Sequence, residues 1–426
     1  MERIVRPEVD MDHVIGLQCM LCGTLYQVEE VAYVCPRHGH AGILDVRYDY
    51  ERLRARLSPE TLRASREMSL WRYKPLLPVR PDAPVPPLRV GWTPLYAAPR
   101  LGAPLGLRRL WVKDDGMNPT ASFKDRASAL AVVKAQEAGA RVVTTASTGN
   151  AAAALAGLAA SVGLRAIIFV PKDAPRAKIA QHLVYGATVL LVDGSYDDAF
   201  DLTLRVAEAF GWYNRNTAYN PYMTEGKKTA AYEIWEQLGG QVPDWIFVPV
   251  GDGCILGGIH KGFKDLLALG WIDRMPRLAG IQAQGASALV DAFRRGLSAT
   301  EMQPVTARTV ADSLSANLPR DRAKALAAVR ETEGVFLAVS DEEILAAIPT
   351  IARATGVFCE PAAAAAYAGL ARAVAQGIVD SEARIVLLLT GSGLKDIDSA
   401  MRTLPQPPVI RPTVEAVREA LRDHEL

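Results

Sequence analysis

Lys124 is the residue whose surroundings in the sequence point most directly to chemistry. It lies in residues 118–126, which read Asn-Pro-Thr-Ala-Ser-Phe-Lys-Asp-Arg, just before the apolar run 127–134. Ser122 can cap a helix there, and Asp125 places negative charge in its first turn. A partly desolvated lysine near the positive end of a helix dipole has its charged form disfavoured, which leaves a free amine to attack a carbonyl. The segment therefore predicts Schiff-base chemistry at Lys124, with a solvated surface lysine as the alternative.

A second polar turn, Ser147-Thr148-Gly149-Asn150, follows a predicted strand that ends near residue 145. The amides and hydroxyls of such a turn form an anion-binding nest, which suits the carboxylate of an amino acid. Taken alone, an ordinary helix cap explains this turn equally well.

A glycine-rich turn follows the predicted strand that ends at Val250, and residues 251–258 read Gly-Asp-Gly-Cys-Ile-Leu-Gly-Gly. A turn of this kind exposes backbone amides to a phosphate and adds the helix dipole. A dinucleotide site would need Gly-x-Gly-x-x-Gly and an acid after the next strand, but residue 256 is leucine and residues 282–284 contain no acid. We therefore expect a phosphate cradle. Its predicted members are Gly251, Asp252, Gly253, Cys254 and Ile255.

Residues 118–127 resemble the cofactor-lysine motif of the pyridoxal-phosphate (PLP) enzymes of the tryptophan-synthase-beta type, most closely in their threonine synthase branch. The usual motif there reads Asn-Pro-Thr-Gly-Ser-Phe-Lys-Asp-Arg-Gly, and Ala121 and Ala127 stand in place of its two glycines. We expect these alanines to keep a close approach but not a positive backbone φ. The resemblance implies that Lys124 holds PLP and is the catalytic residue, with Phe123 beside the cofactor.

Further motifs follow in the order of that family. The Ser-x-Gly-Asn turn implies that Ser147 and Thr148 bind the substrate carboxylate and that Asn150 binds the phenolic oxygen of PLP. Residues 390–396, Thr-Gly-Ser-Gly-Leu-Lys-Asp, resemble the family's Thr-Gly-His-Gly-Leu-Lys-Asp and imply that Thr390 faces the pyridine nitrogen. Glu360, followed by a proline, also matches a family pair, although a helix cap explains this pair at least as well.

Four potential metal ligands near the N-terminus, Cys19, Cys22, Cys35 and His38, have the spacing C-x2-C and C-x2-H. Two such knuckles can present four ligands tetrahedrally, as structural zinc requires. His40 is a rival fourth ligand, and turns held by packing without a metal are the alternative. Since related synthases often carry a cysteine-paired ribbon ahead of the catalytic body, the resemblance supports a structural zinc.

From about residue 109 onward, short apolar strands alternate with alanine-rich helical segments. Such a pattern implies parallel sheets covered by helices on both faces, with ligands at the carboxyl ends of the strands. The predicted strands are 109–113, 141–145, 166–170, 188–192, 245–250, 277–281 and 384–389. Together with the resemblance, this predicts an α/β fold, the two-domain fold-type-II PLP enzyme with parallel-rich sheets, preceded by a zinc-ribbon-like extension.

The length of 426 residues suggests about two to three domains. We expect the active site in the cleft between a large PLP domain and a small α/β domain inserted into it. The expected parts are a ribbon-like segment with a linker arm (1–88), the large domain (89–125 and 221–405), the small domain (126–220) and a C-terminal helix (406–426).

The composition and net charge limit the kinds of binding partner that we expect. With 50% hydrophobic residues, 22% charged residues and a net charge of +1, the chain has no general attraction to nucleic acid or to an anionic membrane, so we expect neither partner. Five clustered cysteines argue against a disulfide framework and for a reducing cytoplasmic location, and residues 1–6 lack the apolar core of a signal peptide. The expected ligand is a small amino acid, and a homodimer is left open.

The resemblance implies conversion of O-phospho-L-homoserine and water to L-threonine and phosphate. The alternatives are a sister PLP reaction, either cysteate-synthase-like β-replacement or dehydration of threonine or serine, and a non-catalytic zinc-ribbon binding protein. Arginine is well shaped to hold a substrate phosphate, but Met223 and Asp201 replace two arginines of the family motifs. Either these positions lie outside the pocket, or other donors replace them. The candidate donors are Ser195, Thr224, Lys227 and Lys228.

Overall fold

The computed structural model describes the backbone of residues 11–172, 174 and 176–422, and the side chains of these residues except 176–178. Residues 1–10, which include the predicted start of the N-terminal segment, and residues 423–426 lie outside the described residues. The predicted C-terminal helix over 406–426 is wrong for its first part: residues 406–413, which include three prolines, are not helical, and the helix is Val414–Ala420. Among the helices of the described part, none is long and apolar enough to span a membrane.

Strands and helices alternate through most of the described chain. The strands are Val14–Cys19 (β1), Leu25–Tyr26 (β2), Leu44–Tyr48 (β3), Leu95–Ala97 (β4), Arg109–Asp114 (β5), Val142–Ala146 (β6), Arg165–Pro171 (β7), Thr188–Val192 (β8), Tyr213–Asn214 (β9), Trp245–Pro249 (β10), Arg277–Ala283 (β11), Val335–Val339 (β12) and Arg384–Leu389 (β13). The α-helices are Tyr50–Arg56 (α1), Pro59–Ala64 (α2), Pro99–Gly102 (α3), Lys124–Glu137 (α4), Asn150–Ser161 (α5), Arg176–Val184 (α6), Tyr196–Phe210 (α7), Tyr222–Gln237 (α8), Cys254–Ala268 (α9), Ala288–Arg294 (α10), Arg322–Glu331 (α11), Asp341–Thr355 (α12), Pro361–Ala375 (α13), Ile397–Met401 (α14) and Val414–Ala420 (α15).

The strands form three sheets. A six-stranded sheet has the order β12-β11-β10-β13-β5-β4 and is parallel except for β4, and a four-stranded sheet has the order β8-β7-β6-β9 with all its pairs parallel. Central strands such as β10 and β13 are apolar and almost entirely buried, as expected when helices cover both faces of a sheet. The predicted α/β fold with parallel-rich sheets is therefore confirmed.

Three loops that carry the predicted site residues leave the two parallel sheets at the carboxyl ends of strands. The turn at residues 147–150 follows β6, the glycine-rich turn follows β10, and Thr390 follows β13. Because parallel strands place these ends on one edge of a sheet, the topology brings distant segments together.

Helices α4, α8 and α9 pack against one another closely. A Cβ at Gly226 of α8 would overlap the carbonyl oxygen of Arg126 in α4, and a Cβ at Gly262 of α9 would lie 2.5 Å from the carbonyl oxygen of Lys228 in α8. Only glycine permits this distance between the helix backbones. The packing fixes the position of the first turn of α4, where Lys124 lies.

The N-terminal extension is a three-stranded antiparallel sheet with the order β2-β1-β3. Its strand β3 lies against the helices of the catalytic body: the Tyr48 hydroxyl donates to Glu225 at 2.5 Å, and the Lys261 ammonium donates to the carbonyl of Val46 at 2.8 Å. Asp45 forms an ion pair with Lys324 at 3.2 Å. These buried contacts hold the extension on α8, α9 and α11.

Candidate active site

A cavity of about 370 Å³ lies where the loops of the two parallel sheets meet. Every residue predicted to bind the cofactor lines it, as do the two residues of the predicted carboxylate nest. These residues are Phe123, Lys124, Ser147, Thr148, Asn150, Gly251, Asp252, Gly253, Cys254, Ile255 and Thr390.

Lys124 is the first residue of α4 and is partly exposed to the cavity, while protein surrounds it on its other sides. Burial lowers the pKa of Lys124, and the charge of Arg215 lowers it further. Ser122 does not form the N-cap of α4, which is Phe123, but its hydroxyl accepts the Lys124 backbone N–H at 3.4 Å. The site therefore favours the free amine that nucleophilic attack on a carbonyl requires.

The turn before Lys124 differs from the expectation in one respect. Ala121 has φ 63°, in the left-handed region, so the expectation that alanine would not adopt a positive φ is wrong. Its N–H donates to the carbonyl of Asn118 at 2.8 Å, and its own carbonyl accepts from Ser392 at 3.0 Å. The neighbouring Phe123 N–H donates to the carbonyl of Thr390 at 2.9 Å. These hydrogen bonds offset a conformational cost of about 1–2 kcal/mol and attach the lysine segment to the end of β13.

A buried ion network also holds the start of α4, through Arg126 in its first turn. Arg126 pairs with Asp115 at 2.6 Å and with Glu233 at 2.5 Å, and Lys113 pairs with the same Glu233 at 2.6 Å. All four side chains are inaccessible to solvent, so loss of one partner would leave a buried charge uncompensated. The network fixes the distance between β5, α4 and α8.

The turn after β6 leads into α5, which begins at Asn150. The N-cap residue is Gly149, so the Asn150 side chain does not cap the helix, and its amide donates to both carboxylate oxygens of Glu360, at 2.8 and 3.1 Å. Glu360 is the N-cap residue of α13 but makes no side-chain capping bond; burial raises its pKa. Its side chain lines the cavity, so the helix-cap explanation of Glu360 is incomplete.

The glycine-rich turn combines tight packing with an uncapped helix start. A Cβ on Gly251 would lie 2.6 Å from the carbonyl oxygen of Ser313, and Gly253 has φ 95°. Helix α9 begins at Cys254, and Gly253 provides no side-chain cap. Since residues 251–255 line the cavity, the first amides of α9 and the helix dipole are available to an anion such as a phosphate group.

The predicted substrate donors outside the turn at 147–150 do not line the cavity. Ser195 caps α7 in a capping box with Asp198, and Thr224 accepts a hydrogen bond from Lys324 at 3.1 Å. Lys227 is fully buried and has no hydrogen-bond partner within the described part of the chain. Lys228, the remaining candidate, forms ion pairs with Glu225 and Asp265. Polar cavity residues that the motifs did not indicate include Tyr196, Asp197, Arg215 and Arg320.

The four predicted metal ligands lie together at the tip of the N-terminal sheet. The ligand atoms of Cys19, Cys22, Cys35 and His38 are all within 4.8 Å of one another. His40 does not belong to this group, and its ring contacts Tyr219 edge to face. Three thiols and one imidazole at this separation form a donor set that suits structural zinc.

Fold and cavity define a class, the fold-type-II PLP-dependent enzymes. The family model described as "Pyridoxal-phosphate dependent enzyme" matches residues 87–391. A threonine deaminase from Solanum lycopersicum (isoform 2, processed form) has a similar structure, with a TM-score of 0.63 over 73% of this chain and 82% of that chain; at 23% identity this likeness concerns the fold alone.

Two curated relatives narrow the class. The threonine synthase of Methanocaldococcus jannaschii is 40% identical over 408 residues, which cover 95% of this chain and 99% of that protein. The threonine synthase of Methanosarcina acetivorans is 39% identical over 406 residues, covering 95% of this chain and 98% of that protein. The chain belongs to the threonine synthase family, which confirms the resemblance found in its motifs.

Proposed function

We propose that the chain converts O-phospho-L-homoserine and water to L-threonine and phosphate, with PLP as cofactor. The observation that carries this proposal is that Lys124, the turn at 147–150, the glycine-rich turn and Thr390 line one cavity. The similarity to two threonine synthases over nearly the whole chain supports the same reaction.

The residues of the cavity fit PLP. The amides of residues 251–255 at the start of α9 would hold its phosphate, Asn150 its phenolic oxygen and Lys124 its carbonyl carbon. Thr390 would place a hydroxyl at the pyridine nitrogen, and a hydroxyl does not protonate that nitrogen as a carboxylate can. When bound, PLP supplies the electron sink for negative charge that develops beside the substrate α-carbon.

The reaction breaks the bond from Cγ to the phosphate oxygen, adds the water oxygen at Cβ and converts Cγ into a methyl group. One hydrogen leaves Cβ, and one is gained at Cγ. Lys124 is the group whose free amine can remove the proton from Cα and move protons among these carbons, because burial disfavours its ammonium form. Ser147 and Thr148 would orient the substrate carboxylate.

A single comparison tests this function. The purified protein is supplied with O-phospho-L-homoserine, O-phospho-L-serine or L-threonine, and phosphate, threonine and 2-oxobutyrate are measured. We expect threonine and phosphate in equal amounts from phosphohomoserine only. Oxobutyrate from threonine without any phosphate release would replace the proposal by the dehydratase alternative, and phosphate release from phosphoserine alone would replace it by β-replacement. Lys124→Ala serves as the inactive control.

We further propose the division into domains given by residues 1–88, 89–125 with 221–405, 126–220 and 406–426. The separate four-stranded sheet formed by β6 to β9 supports the inserted small domain, and the antiparallel sheet β1 to β3 supports the ribbon. A structural zinc on Cys19, Cys22, Cys35 and His38 is supported by the close approach of their ligand atoms.

A cytoplasmic location is supported by the cysteines, because all five are free thiols in the structure. A homodimer is supported by apolar side chains that stay exposed near the C-terminus of the described chain. They include Leu394, Ile397, Val409 and Val414. Analytical ultracentrifugation of the full chain, with and without residues 406–426, tests this assembly.

A further inference from the structure

Arg215 directly follows β9, lines the cavity and has no solvent-accessible surface. Its backbone N–H donates to the carbonyl of Thr144 at 2.8 Å. In the side chain, Nε donates to the hydroxyl of Ser128 and Nη1 to that of Thr217, both at 3.2 Å. The second terminal nitrogen, Nη2, is buried and has no hydrogen-bond partner in the described part of the chain.

The charge of Arg215 is also uncompensated, since its partners are neutral hydroxyls and no carboxylate among the described residues pairs with it. Burial lowers the pKa of Arg215 to about 10, so the guanidinium remains protonated at neutral pH. Other arginines near the site differ: Arg126 pairs with two carboxylates, and Arg320 pairs with Asp197 at 2.5 Å. A buried cation that lines a cavity and keeps an unused donor is suited to binding an anion that enters the cavity.

We propose that Arg215 binds the side-chain phosphate of the substrate and so determines specificity for a phosphorylated amino acid. This inference rests on the proposed function. The planar guanidinium matches the geometry of a phosphate better than an ammonium does. An unphosphorylated amino acid would leave the buried guanidinium unpaired, and a site built in this way discriminates strongly against it.

The cofactor phosphate is the other anion of the same chemistry. The first turn of α9 already offers it backbone amides and a helix dipole. The Arg215 side chain is instead held by two hydroxyls, those of Ser128 in α4 and Thr217 in the β9–α8 loop, and it lines the same cavity as Lys124. Because the start of α9 already supplies donors for the cofactor phosphate, the unused donor of Arg215 is left for the phosphate that leaves during the reaction.

The arginine positions expected from the family motifs do not supply this cation. Met223 is buried in α8 and Asp201 is exposed on α7, and neither residue lines the cavity. Arg215 therefore provides, from a different place in the chain, the guanidinium that the motifs lack.

The test compares Arg215→Gln and Arg215→Lys with the wild-type holoenzyme. We measure KM and kcat for O-phospho-L-homoserine, binding of inorganic phosphate by calorimetry, and the PLP dissociation constant by absorbance. Arg215→Gln should raise KM about 30-fold or more, weaken inorganic phosphate binding similarly and change PLP affinity by less than about threefold. Arg215→Lys keeps the charge without the planar fork, so it should give an intermediate KM. Arg322→Gln is the matched control, because Arg322 donates to backbone carbonyls outside the cavity. Its KM, kcat, phosphate affinity and PLP affinity should equal those of the wild type.

A loss of PLP affinity with an unchanged KM would assign Arg215 to the cofactor phosphate and overturn the inference. A wild type that makes threonine from phosphohomoserine, with a KM that Arg215→Gln leaves within threefold, would overturn the inference and leave the proposed function standing. The wild type could make no threonine while the Arg215→Gln variant binds inorganic phosphate much more weakly than the wild type. In that case the proposed function fails and the anion site is supported. Should Arg215→Gln not fold, Arg215→Lys is compared with the wild type in the same measurements. If its KM for O-phospho-L-homoserine equals that of the wild type, the inference is overturned.

Discussion

The side-chain amide of Asn150 donates to both carboxylate oxygens of Glu360, at 2.8 and 3.1 Å, and connects α5 to the start of α13 across the cavity. The two residues are 210 positions apart in the chain. Gly391 leaves the space for this contact, since a Cβ there would overlap the Glu360 carboxylate. Since both Glu360 oxygens accept from the Asn150 Nδ2, Glu360 fixes which side of the Asn150 amide group faces it.

We therefore expect Glu360→Gln to disturb the orientation of Asn150, because a glutamine amide can both donate and accept. A charge-assisted hydrogen bond contributes about 1.5–3 kcal/mol, so kcat should fall roughly tenfold or more, and the visible absorption maximum of the bound cofactor should shift. Glu343→Gln is the control, since Glu343 pairs with Arg372 and does not line the cavity. An unchanged spectrum and kcat in Glu360→Gln would show that Glu360 only packs against its neighbours.

Lys124→Ala tests the assignment of the catalytic lysine. The wild-type protein should absorb visible light after PLP addition, and borohydride should attach the cofactor to a single peptide that contains Lys124. Lys124→Ala should bind PLP through the remaining contacts but should lose turnover by about a factor of 10³ or more. Lys134→Ala, on the same helix but outside the cavity lining, should behave as wild type in both measurements. A colourless wild type, or a label on another lysine, would refute the assignment.

The N-terminal cluster should hold one zinc ion per chain. Because the ligands form the site only in the folded ribbon, Cys22→Ser should lower the zinc content and increase proteolysis within residues 11–48. His40→Ala is the control and should retain zinc, since His40 contacts Tyr219 and lies outside the ligand group. Metal analysis of the wild type below about a tenth of an equivalent after expression with zinc would contradict the site.

The fold was predictable from sequence where local patterns agree with the final packing. Strands β8 and β13 lie within the predicted bounds because their apolar runs are flanked by turn residues. Strand β9 was missed, since it has only two residues, and with it Arg215, whose position next to the cavity depends on that strand. The φ of Ala121 was mispredicted because intrinsic preference disfavours it, while a local hydrogen bond to Asn118 and hydrogen bonds with the distant segment after β13 impose it.

In the candidate site too, local motifs were predictable and contacts between distant segments were not. Lys124, the turn at 147–150 and the glycine-rich turn were predictable because each combines a short motif with a strand end or a helix start. The contact of Glu360 with Asn150 was not predictable, since it depends on how two helices meet: α5, which follows a strand of the four-stranded sheet, and α13, which precedes a strand of the six-stranded sheet. The ribbon strands were also missed, although the spacing of their cysteines and His38 correctly indicated that four ligands come together.

Lys227 provides a prediction about pH. Its side chain is 0% exposed, its ammonium has no hydrogen-bond partner among the residues that the structure describes, and burial lowers its pKa from 10.5 to about 8. Below pH 8 the folded and unfolded chains both carry this proton, so the folded state bears the full cost of the buried charge. Between pH 8 and 10.5 the folded state releases the proton while the unfolded chain retains it, so this contribution to stability rises with pH.

Lys227→Met removes that charge at nearly constant volume. In cofactor-free protein at pH 7, the substitution should therefore increase the free energy of unfolding by about 3 kcal/mol, and the gain should shrink to near zero as the pH rises from 8 to 10.5. Urea denaturation midpoints across this pH range measure the effect. Lys264→Met, at a half-exposed position of α9, should change the midpoint little at any pH. A gain for Lys227→Met that stays constant with pH would mean that better apolar packing, rather than the loss of a buried charge, stabilises the variant.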